Sequence, residues 1–301
     1  MIHFFLQSNE FLWFIKNKLH KGIAQPLPIV PTMPQPPESL PLISIITINY
    51  NDGQHLNKTI ESVLQQDYPN KEFIVVDGGS TDQSKAIIKT YEHAIDQWVS
   101  EKDKGVFDAM NKGLAMAKGD YINFMNAGDW FLTPDAISKV FENVESHQAD
   151  LVYGNHEVHY PNFIKKKKAL PLHFLWKHMT FSHQALFTKR ELLIKHPFDL
   201  NFKIAADFNF IFNAYLNGYT FYYADVAVAG YLAGGQSEAK VIEAYLENKK
   251  IVFAHKPSLN IRLFHYALLA KQIPIVLLRK LLPKAWFLKL MQLKNWVTSS
   301  T

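Results

Sequence analysis

Two carboxylates stand where an apolar run stops, and that placement suits chemistry on a charged ligand. Phe73-Ile74-Val75-Val76 leads into Asp77-Gly78-Gly79-Ser80-Thr81-Asp82, and Tyr121-Ile122-Asn123-Phe124-Met125 leads into Asn126-Ala127-Gly128-Asp129-Trp130. Each run reads as a buried parallel strand, and the carbonyl ends of parallel strands are where α/β sheets bind ligands. Two such ends side by side can hold a nucleotide and a divalent cation. Sugar transfer from a nucleoside diphosphate has two matching needs. Charge growing on the departing diphosphate must be neutralised, usually by a divalent metal, and the acceptor hydroxyl must lose a proton to a base. Hard cations take carboxylate oxygens and the diphosphate supplies more, so one or two protein carboxylates suffice. Asp129 suits the metal role. Asp207, isolated among apolar residues at a predicted helix start, is the candidate base.

The elements that must position these groups follow from pattern. Strands are expected over 42–48, 73–76, 95–100 and 121–125, with helices over 56–65, 81–91 (capped by Ser80 or Thr81) and 106–117. Strand and helix alternate, which means βαβ units and an α/β fold with a mostly parallel, Rossmann-like sheet. Asp129 is expected to end the fourth strand. Further on, the pattern predicts a helix over 134–145, a strand over 151–160, a solvated basic loop at Lys165–Lys168, a helix over 206–216 and a strand over 219–228. Residues 1–22 read as an amphipathic segment, 23–41 as a proline-rich linker, 42–236 as the catalytic domain and 237–301 as a basic helical tail broken by Pro274 and Pro283.

Composition narrows the classes. Hydrophobic residues make up 48% and charged ones 20%, which supports a packed core. The chain has no cysteine, which excludes disulfides, thiol nucleophiles and cysteine-bound zinc and fits a reducing cytosol. No secretory leader is expected, and the apolar runs are too short to span a bilayer. The net charge of +5 is uneven: from Ile251 onward there are eight Lys/Arg and no Asp or Glu, so the remainder carries 24 basic and 27 acidic residues, a net of −3. A basic amphipathic tail points to an anionic membrane surface, with packing on the catalytic domain as the competing reading.

The run SIITINYNDGQHLNKTIESVLQQDYPNKEFIVVDGGSTD resembles the opening of glycosyltransferase family 2, the inverting enzymes of GT-A fold. SEKDKGVFDAMNKGLAMAKGDYINFMNAGDWF resembles the continuation seen in its bacterial exopolysaccharide, capsule and O-antigen branch. The resemblance covers about residues 42–236. It implies that the first strand end (Ile48, Asn49) and the acidic turn (Asp77, Gly78) hold the nucleotide. It also implies that Asn126 and Gly128 bind the donor, that Asp129 holds Mn²⁺ or Mg²⁺, and that Asp207 is the base. The chain departs from the family in two places, with Asp77-Gly78 where paired Asp residues are common and Asn126-Ala127-Gly128-Asp129 where a DxD-like pair is common. The partners implied are a nucleotide-sugar donor, UDP favoured, and a glycan or lipid-linked acceptor, with the protein on the cytoplasmic face of the cell membrane.

Simpler roles compete at each position. Asp77 and Asp207 can serve as turn or helix caps. Asp103 sits near the same sheet edge as Asp77 and is a candidate for the ribose or donor sugar, against a merely solvated charge. Asn111 and Lys112 read equally as structural. His183 and Gln184 are assigned to the acceptor or diphosphate side. Gly234-Gly235-Gln236-Ser237 reads as a loop closing over the donor, or as a simple turn. No nucleic-acid module is present, and the turn after the first strand lacks the G-x-G-x-x-G of a dinucleotide site. The rival within the same fold is a catalytically inactive nucleotide-sugar-binding module.

Overall fold

Five of the seven residues in Ile43–Asn49 are β-branched and all seven are buried, which marks this strand, β1, as the centre of a sheet covered on both faces. The computed structural model describes residues 40–235 and 240–281. Within them β1 lies between β2 (Lys71–Asp77) and β4 (Tyr121–Phe124), and β3 (Gln97–Ser100) extends the parallel set beyond β2. Beyond β4 the sheet becomes mixed, running through β8 (Leu186–Lys189), β6 (Leu151–Tyr160), β9 (Phe221–Leu232) and β5 (Asp129–Phe131). The parallel sheet expected from alternation is thus the first half of a nine-stranded sheet.

Side chains alternate between two cores. Ile46 and Ile48 face α3 (Val106–Met116) and α7 (Ala206–Leu216), where Phe107, Met110, Phe208 and Ile211 are buried. Ile43 and Ile45 face α1 (Gly53–Leu64) and α4 (Ala136–Val140), packed through Leu56, Ile60, Val63 and Ile137.

Several elements differ from expectation. Asp129 does not end β4; it opens the separate strand β5, which pairs with β9. Lys165–Lys168 is no loop: β7 (Phe163–Lys167) pairs with β6 as an edge strand, and Lys166 and Lys167 stay in solvent as edge lysines do. The helix expected over 134–145 is two short ones, α4 and α5 (Val144–Gln148). Neither Ser80 nor Thr81 caps α2 (Ser84–Thr90). That position falls to Gln83, and Asp82 before it accepts the Ser84 N–H at 3.0 Å and the Gly53 N–H at 2.9 Å. Pro274 does not break the tail: α9 (Leu259–Leu281) runs through it, with the proline exposed. The expectations for residues 1–39, Gln236–Ser237 and Pro283 fall outside the described residues.

The tail's first helix, α8 (Val241–Ala254), belongs to the packed body, with Ile251 and Val252 in the same core as Phe208. On α9, His265 is buried and contacts the Trp176 carbonyl at 2.8 Å, whereas Leu259, Leu263, Tyr266, Ile273 and Leu281 are exposed along one stripe.

The end of the parallel sheet away from these carboxylates is tied by one buried carboxylate. Glu72 accepts from the Ser44 hydroxyl and from the N–H groups of Lys118 at 2.5 Å and Gly119 at 2.9 Å, joining β1, β2 and the turn that enters β4. Glu72→Leu should lower stability by about 2–4 kcal/mol, because it strands buried donors. A urea midpoint equal to wild type would show that the tie is dispensable.

Candidate active site

At the end of β2 the Asp77 carboxylate is fully buried and saturated with donors. It accepts from Asn49 Nδ2 at 2.9 Å, Ser80 N at 3.0 Å, Ser80 Oγ at 2.5 Å and Ser100 Oγ at 2.5 Å. Burial pushes its pKa up, but the bonds from Ser100, Ser80 and Asn49 outweigh that and hold it below the ordinary range. An ionised carboxylate with this many partners is an organising group. It braces the acidic turn, and the helix-cap reading fails because α2 begins seven residues later, at Ser84. Asn49 is likewise buried, and its Oδ1 has no hydrogen-bond partner among the described residues. Ile48 offers only main chain, since its side chain lies in the core and its carbonyl accepts the Ala127 N–H at 3.0 Å.

Gly78 is required by close approach. A Cβ there would meet the Asp103 carboxylate and would lie 3.3 Å from the Tyr50 ring. Asp103 therefore stands beside the acidic turn, as expected, with its other oxygen accepting the Gly105 N–H at 2.9 Å. Tyr50, 66% exposed, is a residue that sequence reasoning missed. An apolar ring standing in solvent at a strand end was the available signal. Asn111 and Lys112 are structural: Asn111 exchanges hydrogen bonds with the Phe198 backbone and Lys112 pairs with Glu101 at 2.8 Å.

The second group forms where the chain leaves β4. Thr59 of α1 clamps the turn, its hydroxyl donating to the Asp129 carbonyl at 2.6 Å and accepting the Gly128 N–H at 3.0 Å. Gly128 has φ +90°, which favours glycine, and its open face lies toward Asp52 and His55. Asp52, also missed, is bonded to His55 Nδ1 at 2.6 Å and brings a second negative charge toward Asp129.

Asp129 itself is buried, and Gln184 Nε2 donates to its Oδ2 at 3.0 Å. Burial pushes its pKa up to about 7, against the charge of His183 and the bond from Gln184. His183 follows Ser182 in a short 3₁₀ turn (His183–Ala185) and links two site residues. Its Nε2 lies 3.2 Å from Asn126 Nδ2, and its Nδ1 lies 3.3 Å from Asp207 Oδ2. Burial of His183 favours the neutral ring, but the hydrogen bond and charge of Asp207, joined by Asp129, outweigh it and hold the imidazole above its ordinary range. Asp207 is not the helix cap, a position that falls to Ala205. The loop before it is held from the tail, where Glu247 of α8 accepts the N–H groups of Lys203, Ile204 and Ala205 at 3.0, 3.0 and 2.9 Å. Glu247 was invisible in sequence because its partners lie more than forty residues away.

Asn49, Asp77, Gly78 and Asp103 thus gather on one side, and Asn126, Gly128, Asp129, His183, Gln184 and Asp207 on the other. The Tyr50–Gly53 loop touches both. Among the described residues no cluster of three His, Asp, Glu or Cys could enclose a metal. One buried carboxylate with a second nearby is the donor set of a cation shared with substrate phosphates, and it fits Mg²⁺ or Mn²⁺ on those terms.

A buried carboxyl with pKa near 7 leaves a pH signature. Its ordinary value is 3.8, so between there and about 7 the folded chain keeps a proton that the unfolded chain has lost, and stability falls as pH rises through that window. Without divalent cations, Asp129→Asn should gain thermal stability relative to wild type on going from pH 5 to pH 8. Parallel unfolding midpoints at the two pH values would refute the burial argument.

Comparison with known proteins identifies the family and the fold. The family model for glycosyl transferase family 2 matches residues 44–207, ending on Asp207. An uncharacterised glycosyltransferase of Mycobacterium tuberculosis is 36% identical over 189 residues, covering 59% of this chain and 70% of its own length. A PGL/p-HBAD biosynthesis glycosyltransferase of Mycobacterium bovis is 30% identical over 214 residues, 69% of this chain and 83% of that protein. S. aureus TarS 1-349 in complex with UDP-GlcNAc matches with TM-score 0.56 at 20% identity, over 71% of this chain and 66% of that one, slightly less than two thirds of its length. A Pyrobaculum calidifontis mannosyltransferase in complex with GDP-Man and Mn²⁺ matches with TM-score 0.54 at 16% identity, over 96% of this chain and 92% of that one. The fold is GT-A, and the chain belongs to glycosyltransferase family 2.

Proposed function

We propose that this protein is a metal-dependent inverting glycosyltransferase. It moves one hexosyl or N-acetylhexosaminyl group from a nucleotide donor, UDP favoured, to a glycan or lipid-linked acceptor in surface polysaccharide biosynthesis. The observation that carries the reading is the joining of Asp129 to Gln184 and of Asp207 to His183, two adjacent residues of one turn. The carboxylates suited to cation and base thereby share one cleft. A relative named for PGL/p-HBAD biosynthesis and neighbours solved with UDP-GlcNAc, or with GDP-Man and Mn²⁺, support the substrate class.

Each side chain has a task. The exposed Tyr50 ring offers a face to the base, and Asp103 beside Gly78 faces the ribose. Asp129 would hold the cation, which neutralises charge on the departing diphosphate. Asp207, steadied by His183, takes the proton from the acceptor hydroxyl as its oxygen attacks the anomeric carbon opposite the leaving group, and the configuration inverts. The inactive-module reading has no use for a paired Asp207 and His183 in the cleft.

No described helix is long and apolar enough to cross a membrane. The exposed stripe of α9 is nevertheless an apolar surface in a basic segment, and we place it against the anionic inner face of the cell membrane.

Asp207→Asn should keep nucleoside diphosphate binding and lose turnover by roughly 10²-fold or more. Asp129→Asn should lose the cation-dependent part of UDP binding. Near-normal turnover in the first, or wild-type cation dependence in the second, would remove the assignment concerned. For the membrane, the protein should pellet with anionic vesicles and release as salt rises. Leu259→Glu combined with Leu263→Glu should abolish pelleting without changing transfer to a soluble acceptor. A chain that ignores anionic vesicles at low salt rules the surface out.

A further inference from the structure

His156 on β6 is a buried titratable side chain beside the site that the proposed mechanism leaves unused. It is 8% exposed, and its Nδ1 has no hydrogen-bond partner among the described residues. A buried polar atom without a partner costs stability, and an apolar residue of similar size would avoid that cost. The ring lies on Tyr231 of β9, with centroids 5.7 Å apart and planes 19° from parallel.

Register places this stacked pair on the face of the sheet that carries Asp129. Asp129 on β5 is opposite Tyr231 on β9, and Tyr231 is opposite Val158 on β6. Directly paired residues project from one face, and His156, two positions before Val158, projects there as well. Asp129, Tyr231 and His156 therefore share one face of the sheet, His156 standing one row along, opposite Ala229, and Gln184 donates to Asp129 at 3.0 Å. The charge of His183 is felt at His156. Tyr231 is partly exposed.

We infer that His156 and Tyr231 form the sugar-reading floor of the site, where His156 hydrogen-bonds a hydroxyl of the sugar at the reaction centre and Tyr231 packs against that sugar's ring. The inference rests on the transferase reading and adds the residues that discriminate one sugar from another. A hydroxyl is the fitting ligand because burial, with Lys167 and His183 nearby, pushes the imidazole pKa down to about 4. The neutral ring offers one donor and one acceptor, which suits a hydroxyl, and carries no charge to attract a phosphate. Sites that hydrogen-bond a substrate hydroxyl reject analogues lacking it far better than apolar pockets do.

The test uses the full chain with Mn²⁺, comparing UDP and GDP with UDP-glucose, UDP-galactose, their N-acetylhexosamine analogues and GDP-mannose. His156→Phe keeps the stack and removes the hydrogen bond. It should bind the bare nucleotide like wild type and unfold at an equal or higher temperature. It should lose about three- to tenfold in kcat/KM, the size of one neutral hydrogen bond, and discriminate epimeric donors less. A loss already present in donor hydrolysis without acceptor assigns the hydroxyl to the donor sugar. A loss confined to transfer assigns it to the acceptor sugar. Unchanged kinetics, or an equal loss of bare-nucleotide binding, overturns the inference. Should His156→Phe not fold, His156→Gln carries the test through the epimer ratio at constant UDP affinity, and an unchanged ratio overturns it. A wild-type chain that binds no nucleoside diphosphate defeats the transferase reading itself, before His156 is altered.

Discussion

The site depends on β1 continuing to hydrogen-bond its neighbours after their strands have ended. Ile46 and Ile48 carbonyls accept the N–H groups of Met125 and Ala127 at 3.0 Å each, past the end of β4, and Thr47 Oγ donates to the Met125 carbonyl at 2.7 Å. On the other edge the Asn49 carbonyl accepts the Gly78 N–H at 2.8 Å. One buried strand thereby sets the height at which both ligand-facing turns leave the sheet. The turns themselves then need little chemistry of their own: a glycine at φ +90° on one side, a glycine against a carboxylate on the other.

The two strand-end carboxylates occupy opposite electrostatic environments. Asp77 is held ionised by four donors, and Asp129 is pushed toward its neutral form by burial with few donors. Environments that drive two like groups apart mark a division of labour. Asp77 has no reason to change state and acts as a brace. Asp129 gains from any cation that arrives, since a positive charge offsets the burial that otherwise protonates it. The chain departs from the paired-carboxylate pattern at both places, and the surroundings account for that: Asn49 and Ser80 occupy the space around Asp77, and Asp52 approaches Asp129 from another loop.

Local pattern made the parallel half of the sheet legible. A strand such as β1, buried on both faces, must be apolar throughout, and its ending on a polar turn is visible in any window of ten residues. The helix carrying Asp207 was equally clear, spanning 206–216 as its apolar run predicts. What escaped was set by distant pairing. β5 is three residues long and exists because β9 lies beside it, so nothing in Asp129-Trp130-Phe131 announces a new strand. β7 carries three lysines in five residues and is a strand only because β6 extends far enough to offer an edge.

Glu247 shows why a boundary drawn from composition misleads. The change from an acidic body to a basic tail is real, yet α8 runs across it and packs on the body, with Ile251 and Val252 in the core and a carboxylate across three N–H groups before α7. That carboxylate meets a helix N-terminus, where negative charge is favoured. It holds the loop that delivers Asp207, so the geometry of the proposed base depends on a helix that composition assigns to the tail. The same helix carries Tyr245, whose hydroxyl meets Gln272 of α9 at 3.2 Å. An unbroken path of packed helices therefore joins the exposed apolar stripe to the residue proposed to take the acceptor's proton.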